Sequence, residues 1–252
     1  MNALIRAELL KLRTIRSTSW LLVTCLVLVG LDCLAIVATA GRGEGPGHID
    51  DPHLFALGVG GAAIGEIVVL VLGIMSITQE SRFRTDTASC LVTPRRGAIV
   101  VAKLVGVAVC GAVFAVLSVV VVIPLSALLV VLKGGTVVWG PEIGEVALGA
   151  VLVMVLYALI GVAVGALVHN QIAAIAGSLA WLLVVEQIIL PLYPAIGRWT
   201  LGGASAALVQ LGSVTTTRGS LLPVWGAAAL LAAYAAAVAW VATRSTLTRD
   251  IT

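Results

Sequence analysis

The sequence predicts an all-α membrane protein, a polytopic bundle of six transmembrane helices with an amphipathic interfacial helix at its N-terminal end. Three observations carry that reading. Hydrophobic residues make up 60% of the 252 residues, charged residues only 11%, and the mean hydropathy is +1.15, whereas soluble domains carry about 25% charged residues. A soluble fold of this size leaves roughly a quarter of its unfolded surface exposed, so here lipid has to solvate apolar surface. Second, six apolar stretches approach or exceed the roughly 20 residues that cross about 30 Å of hydrocarbon. Third, the basic residues gather in alternate connections. The net charge of +3 and the pI near 8.8 are mild and do not point to nucleic acid.

The elements follow in chain order as one transmembrane domain, 1–252. In residues 1–18, Met1, Leu4, Ile5, Leu9, Leu12 and Ile15 fall on one side of a helix at 100° per residue, with Arg6 and Arg13 opposite. Glu8 interrupts that stripe. Such a helix lies in the membrane interface, its basic groups available to anionic lipid headgroups. The spans are expected at 19–39, 56–77, 103–132, 146–168, 172–192 and 221–241. The first ends in Ala38-Thr39-Ala40, a sequence like a signal-peptidase site, but its apolar run exceeds the roughly 7–15 residues of a secretory signal, so it is expected to stay as an anchor. Pro124 in the long third span predicts a kink or a tilted outer end. Only His169-Asn170-Gln171 separates the fourth and fifth spans, which predicts a tight helical hairpin. The glycine cluster Gly58-Val59-Gly60-Gly61 reads as a site of close helix packing.

Orientation follows from where Lys and Arg fall. With both termini in the cytoplasm, Arg6, Lys11, Arg13, Arg16, Arg82, Arg84, Arg95, Arg96, Lys103, Arg244 and Arg249 lie inside, eleven of the 15 basic residues. Arg42, Lys133, Arg198 and Arg218 lie outside. The expected location is a bacterial-type cytoplasmic membrane.

The chain contains no G-x-x-x-x-G-K-[ST], H-E-x-x-H, paired C-x-x-C or G-x-S-x-G, so no phosphate-cradling loop, zincin helix or nucleophile elbow is expected. No catalytic residue, metal site or cofactor is assigned to it. Of the four cysteines, Cys25, Cys33 and Cys110 sit in apolar runs and Cys90 in a charged loop, which implies no disulfide framework. His48 and His53 flank Asp50 and Asp51 in the first outer loop; a solvated loop explains them better than a metal site.

Three carboxylates stand in the apolar runs. Counting about 1.5 Å per residue, Glu66 falls near mid-bilayer, and Asp32 and Glu186 fall in the outer half. No Lys or Arg shares their depth, and an unpaired charge there is costly. Two readings stay open. Either the three line a translocation path or subunit interface, or they fix helix packing through hydrogen bonds, with Gln187 and nearby hydroxyls as partners. Residues 193–220 form an outer connection that is unusually apolar, with Trp199, Leu201, Leu208, Val209 and Leu211. Short re-entrant helices shielded by protein are expected there.

The connection at 78–97 is polar and compact. Pro94 and Gly97 break it, which predicts a short helix across the cytoplasmic mouth, then a turn. Its order of residues is Glu80, Arg82, Phe83, Arg84, Thr85, Thr87, then Thr93-Pro94-Arg95-Arg96-Gly97, with Lys103 opening the next span. This resembles the first cytoplasmic loop of ABC type-2 transporter permeases, the membrane-spanning subunits of bacterial ABC exporters. Asp86 stands before Thr87 where the usual pattern has Gly. The lead AELLKLRTIRSTSW into the first span and the outer GRWTLGGASAAL at 197–208 are similar to actinobacterial members of that family.

The resemblance implies a permease paired with itself or with a related chain, each half receiving a separate ATPase subunit that holds ATP and Mg. It implies that Glu80, Arg82, Phe83, Arg84, Thr93, Pro94, Arg95 and Arg96 form the ATPase-coupling surface, with residues 1–18 as the interface helix. The alternative is a non-transport polytopic membrane protein, such as a sensor, an assembly factor or an intramembrane enzyme.

Overall fold

The computed structural model describes residues 2–41, 51, 53–83, 96–168, 170–209 and 221–247; side chains at 2–3, 80–83, 96–99, 238 and 241–247 lie outside that description. The described residues form helices and turns, with no strand among them. In order they are α1 (Asn2–Thr14), α2 (Arg16–Thr39), α3 (Leu54–Gly60), α4 (Glu66–Phe83), α5 (Arg96–Leu132), α6 (Pro141–Leu167), α7 (Gln171–Ala180), α8 (Glu186–Leu192), α9 (Pro194–Gly197), α10 (Leu201–Leu208) and α11 (Val224–Leu247). A 3-10 turn, Gly61–Gly65, joins α3 to α4, and a π-helical turn, Trp181–Val185, joins α7 to α8.

Among the described residues, five stretches are long and apolar enough to cross a bilayer: Arg16–Thr39, Leu54–Gln79, Val100–Leu132, Pro141–Leu167 and Gln171–Leu192. The stretch expected as a sixth span is helical as α11, but its apolar part among the described residues, Val224–Ala237, is shorter than the rest. The chain is thus a multi-pass helical membrane protein.

Residues 1–18 do not form one helix. Ile15 is extended (φ −77°, ψ 121°) and separates α1 from α2, while the Thr14 hydroxyl donates back to the Leu10 carbonyl at 2.9 Å. The expected stripe is present: Leu12 is buried, Leu4, Ile5, Leu9 and Ile15 are half-buried, and Arg6 and Arg13 are exposed. The face it meets is protein, because α1 packs on α5 and α2.

The centre of the bundle is α6, which packs against α4, α5 and α11. Its contact with α4 is made by backbone approach. A Cβ at Gly73 would collide with the Ala158 carbonyl, one at Gly161 with the Leu70 carbonyl, and one at Gly165 would lie 2.8 Å from the Ile74 carbonyl oxygen. Gly161 and Gly165 stand four apart on one face, the small-x-x-x-small spacing that lets spans close without a hydrophobic driving force.

Hydrogen bonds tie α2 and α3 to α5. The Ser126 hydroxyl donates to the Phe55 carbonyl at 3.2 Å, and the Cys25 thiol and Ser118 hydroxyl meet at 3.5 Å. The third span is assigned as one helix through Pro124 to Leu132. It closes with the Gly135 amide on the Val130 carbonyl at 3.0 Å and Gly134 at φ +81°, a left-handed turn that favours glycine. Beside it, the Lys133 ammonium donates to the Ala38 carbonyl at 2.7 Å, placing a cation on the C-terminal carbonyls of α2.

The fifth span is arranged differently. Asn170 caps α7, its side chain accepting from the Ile172 and Ala173 amides at 3.0 and 3.3 Å, and α7 starts four residues after α6 ends. The helix then leans toward α4 more than α6, leaving Ile172, Leu183, Val184, Ile188 and Leu192 exposed.

Candidate functional site: a buried polar cluster

Each of two carboxylates follows an interruption in a span. Glu66 is the first residue of α4, after the 3-10 turn, and Glu186 is the first residue of α8, after the π turn. Glycine at Gly60, Gly61 and Gly65 makes the first interruption cheap. A π turn shifts side-chain register by one residue and recurs at functional sites.

Glu186 is 1% exposed. Its Oε1 accepts from the Trp181 indole at 2.9 Å and its Oε2 from the Gly202 amide at 2.7 Å. Gly202 lies in the first turn of α10, where helix amides are unsatisfied and favour an anion. Thr200 caps that helix, accepting from the Gly203 amide at 3.2 Å, and the Ser205 hydroxyl donates to the Gly202 carbonyl at 3.1 Å. Glu186 thereby tethers the fifth span to α10.

The Ser205 hydroxyl also lies beside the Glu66 carboxylate, and Glu186 is within electrostatic reach of Glu66. Tyr157 of α6 is 0% exposed, and its hydroxyl faces Ser205 and both carboxylates. Two buried atoms of this cluster, Glu66 Oε2 and Tyr157 Oη, have no hydrogen-bond partner among the described residues. Such orphaned atoms are uncommon in a folded interior.

The structure therefore brings Glu66 and Glu186 together and leaves Asp32 apart. Asp32 is half-buried on α2, where its Oδ2 would lie 3.0 Å from a Cβ at Gly61. The expected partner of Glu186, Gln187, is exposed; the indole of Trp181 and a backbone amide take its place. Tyr157, Trp181, Gly202 and Ser205 were not foreseen as part of a site. Tyr157 carried a weak signal, a lone hydroxyl inside an apolar span; the Gly202 amide carried none.

The sequence-predicted coupling surface falls on the ends of two helices. Glu80, Arg82 and Phe83 stand in the last turn of α4 and Arg96 begins α5, with side chains outside the description, and Arg84, Thr93, Pro94 and Arg95 lie outside the described residues. Lys103 is only 6% exposed, and its ammonium donates to the Ser76 carbonyl of α4 at 3.1 Å.

Within 193–220, the described residues form α9 and α10. Ser205, Ala207 and Leu208 are buried, and a Cβ at Gly149 would strike the Leu208 carbonyl. The Tyr234 hydroxyl of α11 donates to the Trp199 carbonyl at 2.9 Å. In the connection between α2 and α3, His53 Nδ1 meets Glu142 Oε2 at 2.8 Å, while His48 and Asp50 lie outside the described residues. Among the described residues no three His, Cys, Asp or Glu side chains gather as a metal site.

Fold and site together define a multi-pass helical membrane protein with a polar cluster buried between its spans. Comparison with protein-family models and with characterised proteins finds no match to this chain.

Proposed function

We propose that the chain is the membrane-spanning permease subunit of an ATP-driven ABC exporter. It crosses the membrane six times, α11 being the last span, with both termini in the cytoplasm. The observation that carries the reading is the buried Lys103 bond to Ser76. It fastens the bases of α4 and α5, the two helices that lead into and out of the 84–95 segment, whose Thr93-Pro94-Arg95 runs into Arg96 at the start of α5. A push on that segment by a soluble ATPase then moves two spans together.

In this reading α1, packed on α5 with Arg6 and Arg13 exposed, forms the second half of the ATPase platform. Glu66 and Glu186 mark the translocation path, and α9 and α10 cap its outer end as a re-entrant segment. A second copy or a related chain completes the pathway. A paired-carboxylate hydrolase is less well supported, because both oxygens of Glu186 are already engaged by Trp181 and Gly202.

Affinity purification of the chain from its own membranes in mild detergent tests the proposal. A P-loop ATPase subunit is expected to co-purify, and Arg95→Glu with Arg96→Glu is expected to release it. A chain that purifies alone, with folded wild-type protein in hand, overturns the reading.

A further inference from the structure

An apolar groove begins about one helical turn from the polar cluster and shares Trp181 with it; Glu66 and Tyr157 are buried behind its wall. The groove, about 280 Å³, lies between the fifth span and the α4–α6 pair, and its walls include Leu70, Ile160, Trp181, Leu182 and Leu201. Each of these adjoins the cluster. Leu70 is one turn beyond Glu66 on α4, Ile160 one turn beyond Tyr157 on α6, and Leu182 one turn before Glu186; residues three and four apart share a helix face. Leu201 precedes Gly202. Trp181 belongs to both, lining the groove while its indole holds Glu186.

We propose that groove and cluster form one binding site for an amphipathic amine, with its hydrocarbon part in the groove and its protonated, N–H-bearing nitrogen at Glu66 and Tyr157. The groove wall is apolar and its volume of about 280 Å³ falls just below the about 300–1,000 Å³ typical of small-molecule sites, which fits a single alkyl chain or small aryl group. One turn behind the wall formed by Leu70 and Ile160, Glu66 Oε2 is a buried acceptor with no donor among the described residues and Tyr157 Oη is buried without a partner there. An ammonium supplies N–H donors to both, and charge-assisted hydrogen bonds are the strong ones. Glu186 already accepts at both oxygens, so it contributes field rather than a vacant acceptor. A fatty acid would meet two carboxylates, an alcohol brings no charge, and a quaternary ammonium brings charge without N–H.

As a statement about cargo this rests on the exporter reading; as a statement about binding it does not. The test uses the full chain in nanodiscs of zwitterionic lipid and radiolabelled dodecylamine. Saturable binding is expected, with unlabelled dodecylamine competing at least about tenfold better than dodecanol, dodecyltrimethylammonium or dodecanoate. Glu66→Gln is expected to weaken binding by about tenfold or more.

Gly177→Leu provides a second variant, because Gly177 lines the groove and a Cβ there meets nothing within 4 Å. It is expected to fold normally and to block binding. Equal competition by dodecanol, or unchanged affinity in both variants, overturns the site. Absent binding with an intact, coupled ATPase overturns only this inference. Amine binding in a chain that never engages an ATPase supports the site and overturns only the exporter reading.

Discussion

The contact between α4 and α6 and the seating of the fifth span show two different ways of holding a helix in lipid. The first is a backbone contact: Gly73, Gly161 and Gly165 bring carbonyls of one helix within van der Waals reach of the other. In the second, a largely exposed apolar helix touches the bundle along a groove and is tethered by one buried carboxylate, Glu186, bonded to Trp181 and Gly202. Close packing resists any change of spacing. The bundle thus sets a pair packed backbone to backbone beside a span held at a groove by a polar tether, with the polar cluster at their junction.

Substitutions can sharpen that contrast. The largest effect is expected from Gly161→Leu, which drives a side chain into the Leu70 carbonyl. Ordinary overpacking costs about 1–3 kcal/mol, and an obstacle made of backbone should bring the loss to about 3 kcal/mol or more, read as a lower unfolding midpoint in detergent.

Next comes Glu186→Leu, which orphans the Trp181 and Gly202 donors at about 1–3 kcal/mol each. Hydrogen exchange should rise in 171–192 and 200–208 and stay unchanged along α4 and α6; a uniform rise would mean the tether is not local. Lys133→Met removes the cation from the carbonyls of α2 and should cost about 0.3–1 kcal/mol, seen as fraying of 35–40 by exchange. The smallest effect belongs to Gly177→Leu, within about 0.5 kcal/mol of wild type. The same chemical change as in Gly161→Leu then gives opposite outcomes on the two sides of the groove.

What could be read from residue order was whatever repeats along a helix. The apolar runs located all the described spans, and the stripe through Leu4, Ile5, Leu9 and Leu12 located α1. Ile15 was missed because one extended residue between two helical runs leaves no trace in hydrophobic period. The 3-10 and π turns were also illegible, although the Gly58-Val59-Gly60-Gly61 cluster pointed to close packing beside the first of them.

The site was half legible. A carboxylate inside an apolar run announces itself through the cost of burying it, so Asp32, Glu66 and Glu186 stood out. Which two share a cluster is decided by how α4, α6, α8 and α10 cross, and no local pattern encodes that. The Glu186 partners show the same limit: Gln187 is adjacent in sequence but lies on another face of the helix, while Gly202 is brought in by a turn.

The central claim is that a separate ATPase drives this bundle through the segment between α4 and α5. The most direct measurement is the ATP hydrolysis rate of the partner subunit co-reconstituted with the full chain in vesicles, for wild type and for Lys103→Met, which breaks the Ser76 bond at the base of those helices. Stimulation by the wild-type chain, and its loss in the variant while the ATPase stays bound, is the predicted result. An ATPase rate indifferent to the presence of the folded wild-type chain would contradict the account.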